Sequence, residues 1–224
     1  MTMAPWIAEM VGDLPALLAA RDEESAEAAC ARRRGEAGRA WEAALPVAYR
    51  WARLDHRLLP SRVKLDRLPP QPPSARRVVF FGDAGVGKTS LAVALLRALA
   101  ETAIARTSFD RDEDVRAIVR RFHFASAHRL GTAGVAVHGD PDAIRIAMRA
   151  RVLLLDDLGS ERSIPSNPIP DIIAERHAED RVTWITTGLT AKEIVDRYGG
   201  GVARRILEGA QLTKIGNINP SEST

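Results

Sequence analysis

The segment Gly82-Asp83-Ala84-Gly85-Val86-Gly87-Lys88-Thr89 limits what this chain can fold into more than any other stretch. Glycines this dense suit neither a helix nor a strand interior, because each forfeits backbone entropy and offers nothing to pack. They suit a loop whose successive N–H groups turn inward around an anion. The flanks agree with that reading. Val78-Val79-Phe80-Phe81 has the pattern of a short buried strand and runs directly into Gly82, while Lys88-Thr89-Ser90 opens the helical run Leu91–Ala100. Strand, glycine-rich loop and helix N-terminus in that order form a phosphate cradle, aided by the positive end of the helix. Gly82, Asp83, Ala84, Gly85, Val86, Gly87, Lys88, Thr89 and Ser90 are therefore expected to hold nucleotide phosphates. Lys88 is placed to reach the β- and γ-phosphates and the Thr89 hydroxyl to ligate Mg²⁺, so ATP and Mg²⁺ are the expected ligands.

A second element completes that chemistry. Val152-Leu153-Leu154-Leu155-Asp156-Asp157 is an apolar strand ending in two carboxylates, the pattern of a buried parallel strand that delivers acids to the C-terminal edge of its sheet. Asp156 is the expected metal-side carboxylate, and Asp157 is placed to orient or deprotonate an attacking water.

The rest of the chain reads as an α/β fold around a central parallel sheet flanked by helices. Strands are expected at Val78–Phe81, Phe122–Ser126, Val152–Leu155, Thr183–Thr187 and Leu212–Ile215. Helices are expected at Thr89–Ala100, Asp112–Arg121 (with Ser108 and Asp110 as capping candidates), Asp142–Ala150, Pro170–Ala178 and, after Thr190, Ala191–Tyr198. The proline-rich stretch Leu68–Ser74 can neither continue a helix nor pair inside a sheet, so it reads as a linker. It divides a small N-terminal helical, partner-binding module (1–67) from a core domain (75–224). In the module, Ser25–Arg39 and Ala40–Leu59 are rich in helix formers, and Trp41, Val47, Trp51 and Leu54 recur at helical spacing.

Composition excludes several alternatives. With 46% hydrophobic residues the chain can bury a full core. The single cysteine, Cys30, rules out an internal disulfide, and no Cys/His spacing marks a zinc site. The N-terminus lacks the basic start of a secretion signal, and no apolar run nears the roughly 18 residues of a membrane span, so a soluble, cytoplasmic protein is expected. The net charge is +3, with lysine only at Lys64, Lys88, Lys192 and Lys214. Arginine pairs bidentately with phosphate, which suits nucleic-acid contact and equally follows from a GC-rich genome. Arg116, Arg120 and Arg121 could line a channel over single-stranded DNA or simply face solvent. Arg32-Arg33-Arg34 among Glu24, Glu27 and Glu36 fits a solvated helix face, and Trp6, Trp41 and Trp51 fit packing within the module. The five histidines, His56, His123, His128, His138 and His177, share no metal spacing.

Three segments carry a family resemblance. Leu153-Leu154-Leu155-Asp156-Asp157-Leu158-Gly159-Ser160-Glu161, Trp184-Ile185-Thr186-Thr187-Gly188-Leu189 and Tyr198-Gly199-Gly200-Gly201-Val202-Ala203-Arg204-Arg205-Ile206 resemble, in order, signatures of DnaC-type helicase loaders and IstB-type transposition helpers. With the glycine loop they span roughly Val78 to Ile215. The resemblance implies an AAA+ P-loop core whose Thr183–Thr187 strand lies between the other two functional strands. It makes Thr187 the sensor candidate and Arg205 the arginine finger serving a neighbouring subunit. The sequence departs from the pattern at Gly188, where the family has Asn, at Arg204, where it has Ser, and at Asp157, which is shorter than the Glu usual in AAA+ proteins, so slow hydrolysis is expected. No C-terminal lid domain is expected, and that implies an ATP-dependent homo-oligomer. The implied partners are a replicative helicase, or a transposase, and single-stranded DNA. A nucleotide-sensing module with little hydrolysis stands as a further alternative, and a small-molecule kinase lacks any segment resembling an acceptor pocket.

Overall fold

A computed structural model describes residues 14–63, 69, 71–133, 140–162 and 166–216. Trp6, His138 and part of the expected linker, including Leu68 and Pro70, lie outside them. Five strands, β1 (Arg77–Phe81), β2 (Phe122–Ser126), β3 (Val152–Leu158), β4 (Val182–Thr187) and β5 (Gln211–Lys214), form one sheet in the order β2-β3-β4-β1-β5. Every pairing is parallel. The α/β architecture expected from the sequence is the one observed. β4 is inserted between β3 and β1, so the chain reverses its winding direction around β1 and opens a crevice at the strands' C-terminal ends.

Both faces of the sheet are covered, which is why its strands read as continuous apolar runs. Alternation sorts the side chains: Val78, Phe80, Val152, Leu154 and Trp184 join one core cluster, whereas Val79, Leu153, Leu155 and Ile185 join the other. On the first face lies α3 (Lys88–Arg106), whose Leu91 to Leu96 are all buried. A helix apolar on nearly all sides must be enclosed. Its outer side is covered by α1 (Leu14–Ala44) and the chain that follows, through Ala37, Trp41, Leu45, Ala52 and, in the short α2 (Leu59–Arg62), Leu59. α4 (Asp112–Val119) completes this layer, and the Arg33 guanidinium of α1 donates to Asp112 at 2.7 Å. The second face carries α5 (Ala127–Ala133), α6 (Pro141–Arg149), α7 (Ile169–Ala178), α8 (Ala191–Tyr198) and α9 (Gly200–Leu207).

The N-terminal half departs from the expected pattern. One helix runs unbroken from Leu14 to Ala44, and the expected helix Ala40–Leu59 gives way after it to a single 3-10 turn, Val47–Tyr49, and irregular chain. Pro46 is the physical reason, since it disfavours helical geometry at Leu45. Arg97 of α3 then captures the freed backbone: buried, it donates to the carbonyls of Arg50 (2.5 Å) and Ala52 (3.1 Å) and to the Glu42 carboxylate (3.1 Å). Val47, expected at a helical core spacing, is 75% exposed. At α4, Asp110 accepts from Ser108 instead of capping, and Asp114 accepts the Arg111 N–H at 2.9 Å. Thr190, the expected start of α8, caps it reciprocally with Glu193. α5 and α9, rich in small residues, were not anticipated by periodicity.

His123 of β2 gives this fold a pH dependence. Burial, and then the nearby Arg176 charge, pull its imidazole down from about 6.5 to about 4. The unfolded chain therefore takes up a proton that the folded chain refuses, and stability falls as pH drops from 6.5 toward 4. Full loss amounts to roughly 3 kcal/mol. Urea unfolding at pH 7 and pH 4.5 is expected to show that decline in the wild type and a shallower one in His123→Gln; equal slopes would remove His123 as its source.

Candidate functional site

The loop after β1 is shaped by backbone that only glycine adopts readily. Gly82, Gly85 and Gly87 have φ of +148°, +77° and +95°. At Gly82 a Cβ would stand 1.9 Å from the Ile215 carbonyl oxygen, so the end of β5 closes directly on the loop. Val86 is buried beneath it, while Asp83, Ala84 and Gly85 are exposed. α3 starts at Gly87 with no side-chain cap, which leaves the N–H groups of its first turn for an anion. Lys88 folds back over the loop, its Nζ donating to the carbonyls of Gly82 (2.8 Å) and Asp83 (2.7 Å).

Strand alternation brings Asp156 to the same place. It shares parity with Val152 and Leu154, so it faces α3, and its Oδ1 accepts from Thr89 Oγ1 and from Thr186 Oγ1, both at 2.7 Å. Burial raises the Asp156 carboxyl above the ordinary carboxylate range, and the Asp157 charge adds to the rise; the two hydroxyl bonds and Lys88 oppose it. Asp157 sits where the register between β3 and β4 slips, between Leu155 and Leu158, with a left-handed φ of +57°. Its N–H donates to Thr186 Oγ1 at 2.8 Å. That bulge lets adjacent carboxylates both reach one pocket, the first buried and the second exposed.

The pocket encloses about 630 Å³ and is lined by Gly85, Gly87, Lys88, Thr89, Ser90, Asp156 and Asp157, together with Ala48, Tyr49 and Trp51. These last three carry no sequence signal, because they reach the site only through the irregular segment that Arg97 holds. The Tyr49 phenol is pushed up by burial and then by the Asp156 and Asp157 charges. Thr186 was also missed, and alternation could have found it: it shares parity with Trp184 and faces the carboxylate. Thr187, the sensor candidate, points to the opposite face, where its hydroxyl donates to the Leu158 carbonyl (2.7 Å) and accepts from the Leu189 N–H (3.0 Å). Gly188 is exposed beside the loop, and a Cβ there would lie 3.9 Å from the Gly82 carbonyl oxygen. Arg205 is away from this pocket, its Nη1 donating to Gly201, and Arg204 is exposed near Glu208.

Two of the resembling segments meet in a latch. Glu161 is buried and accepts from Gly159 N–H (3.0 Å), Arg197 Nε (3.2 Å) and the Tyr198 hydroxyl. Burial works to raise its carboxyl, but these bonds outweigh it and hold the group below the ordinary range. A Cβ on Gly131 would approach Glu161 Cβ to 2.6 Å, so α5 closes over the latch.

No protein-family model and no curated protein matches the chain. Solved structures do. The chain is similar to a putative primosome component from Streptococcus pyogenes serotype M3, with 18% identity over 77% of this chain and 90% of that one and a TM-score of 0.52. It is also similar to the DnaC helicase loader (26% identity, 66% and 82% covered, TM-score 0.47). A third is AMPPCP-bound DnaA from Aquifex aeolicus (19% identity, 72% and 45% covered, TM-score 0.45). With its sheet order and loop position, the chain has the AAA+ P-loop fold. Among the described residues no helix is long and apolar enough to cross a membrane.

Proposed function

We propose that this chain binds and hydrolyses ATP with Mg²⁺ and uses the cycle in DNA replication, as a loader of a replicative helicase. The observation that carries the nucleotide chemistry is the convergence of an uncapped helix start, Lys88, Thr89, Asp156 and Asp157 on one pocket. The Thr89 and Asp156 oxygens, 2.7 Å apart, are the hard donors that suit Mg²⁺, so the residues present fit it. When bound, Mg²⁺ neutralises charge on the phosphate oxygens. The loop N–H groups hold the β-phosphate, and Lys88 exchanges its two carbonyl partners for phosphate oxygens. Asp157 orients the attacking water and accepts its proton, while Thr186 fixes both acids. Thr187 acts in this scheme through the turn it ties, which keeps Gly188 beside Gly82. Arg205, being remote from its own pocket, serves as a finger only in the site of a neighbouring copy, which accords with an ATP-dependent oligomer.

The three signature segments, which loaders and transposition helpers share, support this use of ATP over phosphate transfer to a small molecule. Residues 1–67 are the proposed helicase-binding module, and single-stranded DNA the proposed nucleic-acid partner. Gel filtration of the full chain with purified replicative helicase and a non-hydrolysable ATP analogue is the test. Co-elution that requires Mg²⁺ and the analogue is expected. Co-elution with a transposase instead, and never with the helicase, would move the chain to the transposition helpers.

A further inference from the structure

Thr186 holds only one side of Asp157. The Asp157 carboxylate is exposed and accepts no hydrogen bond from the described residues, so its aim is set by its own backbone. That backbone has a left-handed φ of +57°, a region few residues other than glycine occupy, and one that persists where the surrounding structure over-determines it. On the upstream side the Asp157 N–H donates to Thr186 Oγ1. On the downstream side the Asp157 carbonyl accepts the Ser160 N–H at 3.0 Å, which closes the turn Asp157–Ser160. Both inner residues of the turn are pinned: the Leu158 carbonyl accepts from the Thr187 hydroxyl at 2.7 Å, and the Gly159 N–H donates to Glu161 Oε2 at 3.0 Å. Gly159 has a φ of +106°, and a Cβ there would stand 2.8 Å from Leu189 Cδ1, so the turn is also packed against the chain that follows β4.

The clamp at Gly159 is built more heavily than a turn alone requires. Glu161 is 2% exposed, and while its Oε2 takes the turn, its Oε1 takes Arg197 Nε at 3.2 Å and the Tyr198 hydroxyl. Its carbonyl accepts from Arg197 Nη2 as well. One carboxylate therefore joins the end of α8 to the residues directly after Asp157. Gly131 of α5 leaves it no room to relax, since a Cβ there would stand 2.6 Å from Glu161 Cβ. A buried ion pair seldom stabilises a fold more than apolar side chains of the same volume would, because desolvation offsets the attraction. What such a pair supplies that apolar packing does not is direction: each oxygen fixes where its donors stand.

Resting on the proposed part of Asp157 in ATP hydrolysis, we propose that Glu161 is a positioning residue for that reaction: anchored by Arg197 and Tyr198, it fixes the Asp157–Ser160 turn and through it the direction in which the Asp157 carboxylate meets the attacking water. Glu161 does not line the nucleotide pocket and acts only through the backbone. The residues that hold nucleotide, Lys88, Thr89 and Asp156, make none of their hydrogen bonds to this turn or to Glu161. Loosening the clamp therefore spares binding and slows the chemical step, where a displacement of about 1 Å costs on the order of 100-fold.

A double-mutant cycle on the full chain, read by single-turnover hydrolysis and by calorimetric Mg·ATP binding, tests this. Glu161→Gln is expected to slow hydrolysis by roughly tenfold or more with the Mg·ATP Kd within about twofold of wild type. Tyr198→Phe, which keeps the ring and removes one donor, is expected to move the rate in the same direction by a smaller factor, and it decides the matter if Glu161→Gln does not melt cooperatively. In the Asp157→Asn background the same substitutions are expected to cost nothing further, because the group they aim is gone. An equal fold-loss in both backgrounds would overturn the inference by showing a general structural effect. So would wild-type rates in Glu161→Gln and Tyr198→Phe where Asp157→Asn is slow, and that result would leave the functional reading standing. Wild-type turnover in Asp157→Asn itself would defeat the functional reading of Asp157, and the inference with it.

Discussion

Asp157→Asn is expected to leave Mg·ATP bound and to slow its hydrolysis by about 100-fold or more. A positioned general base contributes roughly 10²–10⁴ in rate, and an amide can neither accept the proton nor carry the charge. The separation of binding from turnover follows from geometry. Asp156, and not Asp157, is bonded to Thr89, and it is buried, whereas Asp157 is exposed and touches the rest of the site through its backbone N–H. The asparagine keeps that N–H, and asparagine tolerates the left-handed φ of +57° at this position. Single-turnover rapid quench, paired with equilibrium binding of labelled ATP, checks the result. Turnover within a few fold of wild type would show that another group activates the water.

Lys88→Ala is expected to act at the earlier step and to abolish measurable uptake. Two charge-assisted bonds to phosphate oxygens are lost, each worth about 1.5–3 kcal/mol, so affinity falls by at least roughly 100-fold. The fold is expected to survive, because Lys88 is partly exposed and its partners here are the carbonyls of Gly82 and Asp83, which water can reach in its place. Melting of the apo variant within a few degrees of wild type, together with lost nucleotide protection against heat, is the expected signature. Retained protection would place the phosphates somewhere other than this loop.

How much of this could be read in the sequence depended on whether a feature was local. The glycine loop and the strand carrying Asp156 and Asp157 were legible because each is written on consecutive residues at the C-terminal end of an apolar strand. The parallel sheet was legible for the same reason, since strands buried on both faces leave unbroken apolar runs. Tyr49 and Trp51 were not. They reach the pocket through a segment that Pro46 breaks and Arg97 secures from another helix, a partnership between side chain and distant backbone that leaves no periodicity. The bulge at Asp157 was equally hidden, although it explains why two neighbouring carboxylates line one pocket when strand alternation alone would send them to opposite faces. The sensor position shows the reverse case. The resemblance made Thr187 the sensor candidate, while the pleat turns Thr186 toward the carboxylate and directs Thr187 to the Leu158 and Leu189 backbone.

The central claim is that the loop and the two acids form a working site for a magnesium-bound triphosphate. Isothermal titration of Mg·ATP into the folded full-length chain tests it most directly. Saturable binding of one nucleotide per chain, weakened when Mg²⁺ is withheld, is the predicted result. Absence of any binding by protein that melts cooperatively would contradict it.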